Sequence, residues 1–189
     1  MPKVIHIEST ELWDDDKEEF VYLDETDLVI EHSLYSIRIW EEKYHKPFMV
    51  EKNKTNEELI DYIRMMTLNI DDVDPSVYLK LTPKVFKEID EYMKDPMTAT
   101  TFSKEQEREL AKGGYNEFVT AEIVYFWMTA QNIPFECERW HINKLITLVK
   151  VCSIKNKPED KKNKKLTSTQ LAARRAEMEA RRAKYNTNG

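Results

Sequence analysis

Glycine is almost missing from this chain. Gly113, Gly114 and Gly189 are the only three in 189 residues, too few for glycine-rich phosphate loops or for the many tight turns of a β-sandwich. Cysteine is nearly as scarce: Cys137 and Cys152 cannot supply a disulfide framework. Fifteen residues apart on one predicted helix, they would lie roughly 22 Å from each other, too far to bridge. They read as small buried apolar residues. No apolar run approaches the roughly 20 residues that span a bilayer, and Met1-Pro2-Lys3-Val4-Ile5-His6 has no apolar signal core, so a cytoplasmic protein without a membrane partner is expected. The G-x-S-x-G, P-loop and dinucleotide-glycine motifs are all missing, which argues against an enzyme.

Charge is plentiful and unevenly placed. Charged residues are 34% of the chain and the net charge is −6. Ser153 to Gly189 carries eleven Lys or Arg against four Asp or Glu, whereas the 152 residues before it carry 18 against 31. An acidic body with a basic tail follows. Within the body, Thr120 to Val151 packs large apolar residues most densely, and it reads as two helices joined at Asn132-Ile133-Pro134. Thr120 is placed to cap the first, with Ile123, Phe126, Trp127 and Ala130 on its apolar face. The second, about Glu136 to Val151, is apolar on several sides, so this tryptophan-rich pair is expected to be the hub of the core.

Upstream, Lys3 to Ile7 can form a short strand, and Glu11 to Glu19 reads as a solvated acidic stretch. Phe20 to Leu23 and Leu28 to Ile30 look like a hairpin closed by Asp24 to Asp27. Ser33 can cap a helix from Leu34 to about His45. Thr55-x-x-Glu58 is a capping box ahead of Leu59, Ile60, Ile63 and Met66. Asp74-Pro75 opens a short helical turn, and Thr82-Pro83 starts a helix that buries Val85, Phe86, Ile89 and Met93. Asp95-Pro96 breaks the pattern. Met97 to Phe102 could then pair as a strand with Asn116 to Thr120, around an exposed loop or hairpin tip from Ser103 to Gly114. Beyond Cys152, Lys155 to Lys165 has no apolar residue and reads as a flexible linker. Thr167 to Lys184 is a marginal basic helix that would firm up on a partner. The expected fold is mainly α (α+β): an acidic helical domain over 1–154 with a small N-terminal β element, a linker over 155–166 and a basic tail over 167–189.

Candidate chemistry is thin. Cys137 and His141 are four apart and would share a helix face, but two ligands do not make a zinc site, so no metal and no cofactor is expected. Asp14-Asp15-Asp16, Asp71-Asp72-Asp74 and Glu136 with Glu138 match no motif of fixed roles and read as solvated acidic surface. Trp127, Trp140, Phe126 and Tyr125 read as core, while Tyr115 and Phe118 could line a partner groove. Arg174-Arg175 and Arg181-Arg182 lie seven apart, nearly on one helical side. Such a stripe can meet phosphates or an acidic protein surface. The acidic body would repel a duplex, so nucleic acid is not the expected partner, although a nucleic-acid-binding regulator remains a competing class.

A resemblance extends from about residue 20 onward. Ser36-Ile37-x-x-Trp40-Glu41-x-x-Tyr44-His45-Lys46-Pro47-Phe48, Asp61 to Thr67 and Met97 to Thr100 carry part of it. Ile133 to Cys137 with Trp140, His141, Asn143 and Leu145, then Val151-Cys152-x-Ile154-Lys155-Asn156, and the ending Asn186 to Gly189 carry the rest. With these residues the chain resembles a protein family of long-tailed (siphovirus-type) bacteriophages that look like tail assembly chaperones. The resemblance implies a non-enzymatic factor in the host cytoplasm. It would bind the tape-measure protein, help recruit tail-tube subunits and leave before the particle is finished. A structural virion component, such as a tail-completion or connector protein, is the alternative. Leu171, Arg174, Arg175, Met178, Arg181 and Arg182 are the expected partner contacts, with self-association left open.

Overall fold

The computed structural model describes residues 2–14, 18–112, 119–156, 172 and 175–179. The chain divides into two units, Met1–Lys155 and Asn156–Gly189. The first unit begins with four strands. Lys3–Ile7 (β1) pairs antiparallel with Thr26–Ile30 (β4), Ile5 opposite Leu28, and Thr10–Asp14 (β2) pairs antiparallel with Glu19–Leu23 (β3), Trp13 opposite Phe20. Both ladders keep one register: Ile7 faces Thr26, and three residues on Thr10 faces Leu23. They are two halves of a single long ribbon, interrupted at Glu8-Ser9 and Asp24-Glu25. This corrects the expected hairpin between Phe20 to Leu23 and Leu28 to Ile30. Asp24-Glu25 continues the ribbon instead of reversing it, and the stretch expected to be only solvated, Glu11 to Glu19, supplies most of β2 and the first residue of β3. The inner half rests on the core through Ile5, Ile7, Leu28 and Ile30, all buried. β2 and β3 pack chiefly on each other.

Helices build the rest of the first unit. Leu34–Tyr44 (α1) starts at Ser33, whose Oγ accepts from the Ser36 N–H while the Ser36 Oγ accepts from the Ser33 N–H, and it ends at His45 in the left-handed region, φ 53°. Asn56–Met66 (α2) opens with the Thr55/Glu58 capping box the sequence announces. A 3-10 turn, Pro75–Lys80, follows the Asp74 cap, and Pro83–Lys94 (α3) follows the Thr82 cap. These caps satisfy donors that a helix start leaves unpaired. Then come Lys104–Lys112 (α4), Ala121–Ala130 (α5), a 3-10 segment Phe135–Arg139, and Ile142–Lys155 (α6). The fold is mainly helical with a small N-terminal antiparallel element.

Three expectations fail here for local reasons. Met97 to Phe102 forms no strand. The segment expected to be a loop is α4, because Ser103 and Gln106 form a reciprocal cap and Lys-Glu-Gln-Glu-Arg-Glu-Leu-Ala-Lys is built from good helix formers. Asn116, Tyr115, Phe118 and Gly113-Gly114 lie outside the described residues. The second helix of the expected pair is broken: Cys137 sits in the 3-10 segment, Trp140 is extended at φ −76° and ψ 159°, and α6 begins after His141. Cys137 and His141 therefore do not share one α-helical face, although both cysteines are free.

The expected pair supplies Val124, Met128, Leu145 and Val149 to one continuous core, but the fully buried tryptophan comes from α1. Trp40 is wholly buried, donates its Nε1–H to the Glu58 carbonyl at 3.0 Å, and meets the Phe48 ring edge-on at 5.1 Å between centroids, with Phe48 against Tyr62 at 3.9 Å. In contrast, Trp140 is 38% and Phe126 68% exposed. The buried face of α5 is Ala121, Val124 and Met128, one helical step round from the face expected to hold Phe126. Thr120 stands at the N-cap without a side-chain cap bond; a buried carboxylate takes its place. Glu41 accepts from the Ala121 N–H through Oε2 at 2.7 Å and from the Phe48 N–H through Oε1 at 2.8 Å, joining α1 to the start of α5.

Candidate functional site

The short segment leaving β4 is where the polar interior concentrates. Glu31 donates its N–H to the Met66 carbonyl at 3.0 Å, and the Val29 carbonyl accepts from Leu68 at 2.7 Å, so α2 ends as an added partner to β4. The next residue, His32, accepts the Ile142 N–H at its carbonyl, 2.7 Å away, and Ser33 bridges to His141. Residues from the chain's beginning, middle and end thus meet over three positions.

Their side chains interlock. His32 Nδ1 and the Tyr62 hydroxyl share a hydrogen bond of 2.6 Å. The His32 and His141 rings meet edge-to-face at 5.2 Å. His141 donates from Nε2 to the Tyr92 carbonyl at 3.2 Å and accepts the Asn143 N–H at Nδ1, 3.3 Å away, which fixes one neutral tautomer. The Tyr92 hydroxyl donates to Glu31 Oε1 at 2.7 Å. Burial drives the His32 pKa down to about 3, helped by the neighbouring His141 and Lys54 charges, and burial also lowers that of His141. Burial raises the phenols of Tyr62 and Tyr92. At neutral pH both imidazoles are uncharged and each is held by partners. His32 and His141 are 109 positions apart in the sequence, and only the tertiary fold pairs them.

Beside this cluster opens a cleft of about 550 Å³, lined among others by Tyr35, Arg139, Trp140, His141 and Lys144. Arg139 stacks over Tyr35 at 4.6 Å and Lys144 over Trp140 at 4.2 Å, so its cations are spent on ring faces. The hydroxyls of Ser33 and Ser36 serve the α1 cap. The Cys137 thiol is buried, and burial raises its pKa, which lowers its fraction of nucleophilic thiolate. The arrangement clamps four elements together.

The acidic clusters have separate local roles. Asp71 and Asp72 occupy an exposed 3-10 turn, Asp74 caps the next, and Glu138 accepts the Tyr125 hydroxyl at 2.6 Å. Among the described residues no group of three or more His, Cys, Asp or Glu is placed to hold a metal, and no helix is long and apolar enough to cross a membrane. Of the expected partner contacts, Arg175 and Met178 lie in a described helical stretch, 175–179, and are exposed, Met178 at 53%. Leu171, Arg174, Arg181 and Arg182 lie outside the described residues, as does Asp15-Asp16.

No protein-family model, curated protein or solved structure matches this chain.

Proposed function

We propose that this chain is a non-enzymatic tail assembly chaperone of a long-tailed bacteriophage, acting in the host cytoplasm on the tape-measure protein and on tail-tube subunits. The observation that carries the reading is the exposed helical stretch with Arg175 and Met178 in a strongly basic segment that follows an acidic unit. An acidic body keeps copies of a sticky client apart through repulsion. A weak basic helix binds and releases, because the cost of ordering it lowers its affinity. The residues that carry the family resemblance support a shared framework. Trp40, Glu41, Phe48, Tyr62, His141 and Leu145 are among those buried in the core and clamp.

The test is co-expression with the tape-measure protein. The chain keeps this client soluble and co-purifies with it. Reversing the charge of Arg174, Arg175, Arg181 and Arg182 to glutamate removes the co-purification while leaving the circular dichroism of the first unit intact. A pull-down unchanged after deletion of Thr167 to Gly189 sinks the placement of the contacts on the tail. Stoichiometric copies in purified particles, found by mass spectrometry, would replace the chaperone by a connector or tail-completion component.

A further inference from the structure

The outer half of the ribbon exposes what most proteins bury. Trp13 is 51%, Phe20 68% and Tyr22 60% exposed. The register sets Trp13 opposite Phe20 and Glu11 opposite Tyr22, and opposite residues of an antiparallel pair share a face. The three rings therefore stand on one side, Trp13 edge-on to Phe20 at 5.0 Å between centroids. Counting by twos along the common register, this is the side that holds Ile5, Ile7, Leu28 and Ile30 in the core. The ribbon's apolar face runs past the edge of the body and continues in solvent. Surface stability does not call for this, since a two-stranded ribbon is marginal alone and each exposed ring forgoes its burial. Contiguous exposed aromatics mark interaction sites.

The frame round the rings decides the partner. Among the described residues from Glu8 to Glu25, Glu8, Glu11, Glu18, Glu19, Asp24 and Glu25 are exposed carboxylates, and there is no cation. A second copy would bring the same carboxylates against these, and nucleic acid or an anionic lipid surface would also be repelled. A polypeptide with lysine or arginine among apolar residues meets both features: its apolar side chains cover the rings, while its cations face the carboxylates and the ring faces. We infer that β2 and β3 form a docking arm whose Trp13, Phe20 and Tyr22 face binds a basic amphipathic segment of another protein. This arm is distinct from the basic tail, and the inference stands whether or not the chain acts in tail assembly.

The test uses the full chain and two synthetic helical peptides of the same pattern, one of leucine and lysine, one of leucine and glutamate, followed by fluorescence anisotropy. The leucine–lysine peptide binds, more weakly as salt rises, and any leucine–glutamate binding, which the basic tail can supply, is indifferent to the ring variants. Trp13→Ala with Phe20→Ala, which alters no charge, weakens binding by about tenfold or more. Trp13→Phe keeps most of it, and the far-ultraviolet dichroism of all variants matches the parent. No binding of the leucine–lysine peptide, or an unchanged affinity for it in the alanine variant, overturns the inference. So does self-association that disappears in the alanine variant, which would make the arm a contact between copies.

Discussion

Glu41 is the residue on which two distant parts of the chain agree. Its two oxygens serve two backbone donors, at Phe48 and Ala121, and burial raises its pKa against the lowering effect of those bonds. Glutamine has one acceptor oxygen, so Glu41→Gln leaves one buried N–H unpaired. A loss of about 1–3 kcal/mol is expected, read as a lower denaturant midpoint with an unchanged slope. The paired histidines make a second prediction. The folded pKa of His32 is about 3 against 6.5 for an unhindered imidazole, and that of His141 is also lowered. Groups depressed in this way contribute stability fully above pH 6.5 and lose it as pH falls below. Stability therefore drops between pH 6.5 and 5, by up to about 1.4 kcal/mol per pH unit through His32, with His141 acting in the same direction. His32→Gln makes that slope shallower in urea titrations run at stepped pH. Carboxylates lowered by partners, such as Asp61 beside Lys43 and Tyr44, act only at more acid pH. Neither Glu41 nor the histidine pair was legible in the sequence, because their partners are far away along the chain.

At the level of elements, punctuation was legible and pairing was not. Ser33, Thr55, Asp74 and Thr82 each mark a start that the structure keeps, since a cap is satisfied within three residues. Ser103-x-x-Gln106 carries the same signal for α4, in a segment whose dense charge and closing Gly113-Gly114 equally suit an exposed loop. The ribbon and α5 were misread because which strand pairs with which, and which helical side turns inward, depends on the neighbours. Thr55→Ala removes an acceptor at the start of α2 and is expected to cost about 1 kcal/mol in thermal or urea unfolding. At the other end of α1, His45 holds φ 53° with an exposed side chain. His45→Gly relieves the left-handed penalty, so a gain of about 1 kcal/mol is expected from the same measurement.

Over the whole molecule, the mainly helical character and the contrast between acidic body and basic tail could be read from composition alone. The clamp at Glu31, His32 and Ser33 could not, and it has a further consequence. The first third of the chain, the helix ending at Met66 and the helix beginning at Ile142 are laced to one short strap by hydrogen bonds rather than by the connection between them. The peptide link across Ala99 to Thr101, exposed coil between α3 and α4, lies outside this lacing. A chain cut there, or made as two separate polypeptides, should reassemble on mixing and recover the dichroism of the intact protein. A pair that stays apart would mean that covalent continuity, and not the strap, holds the halves together.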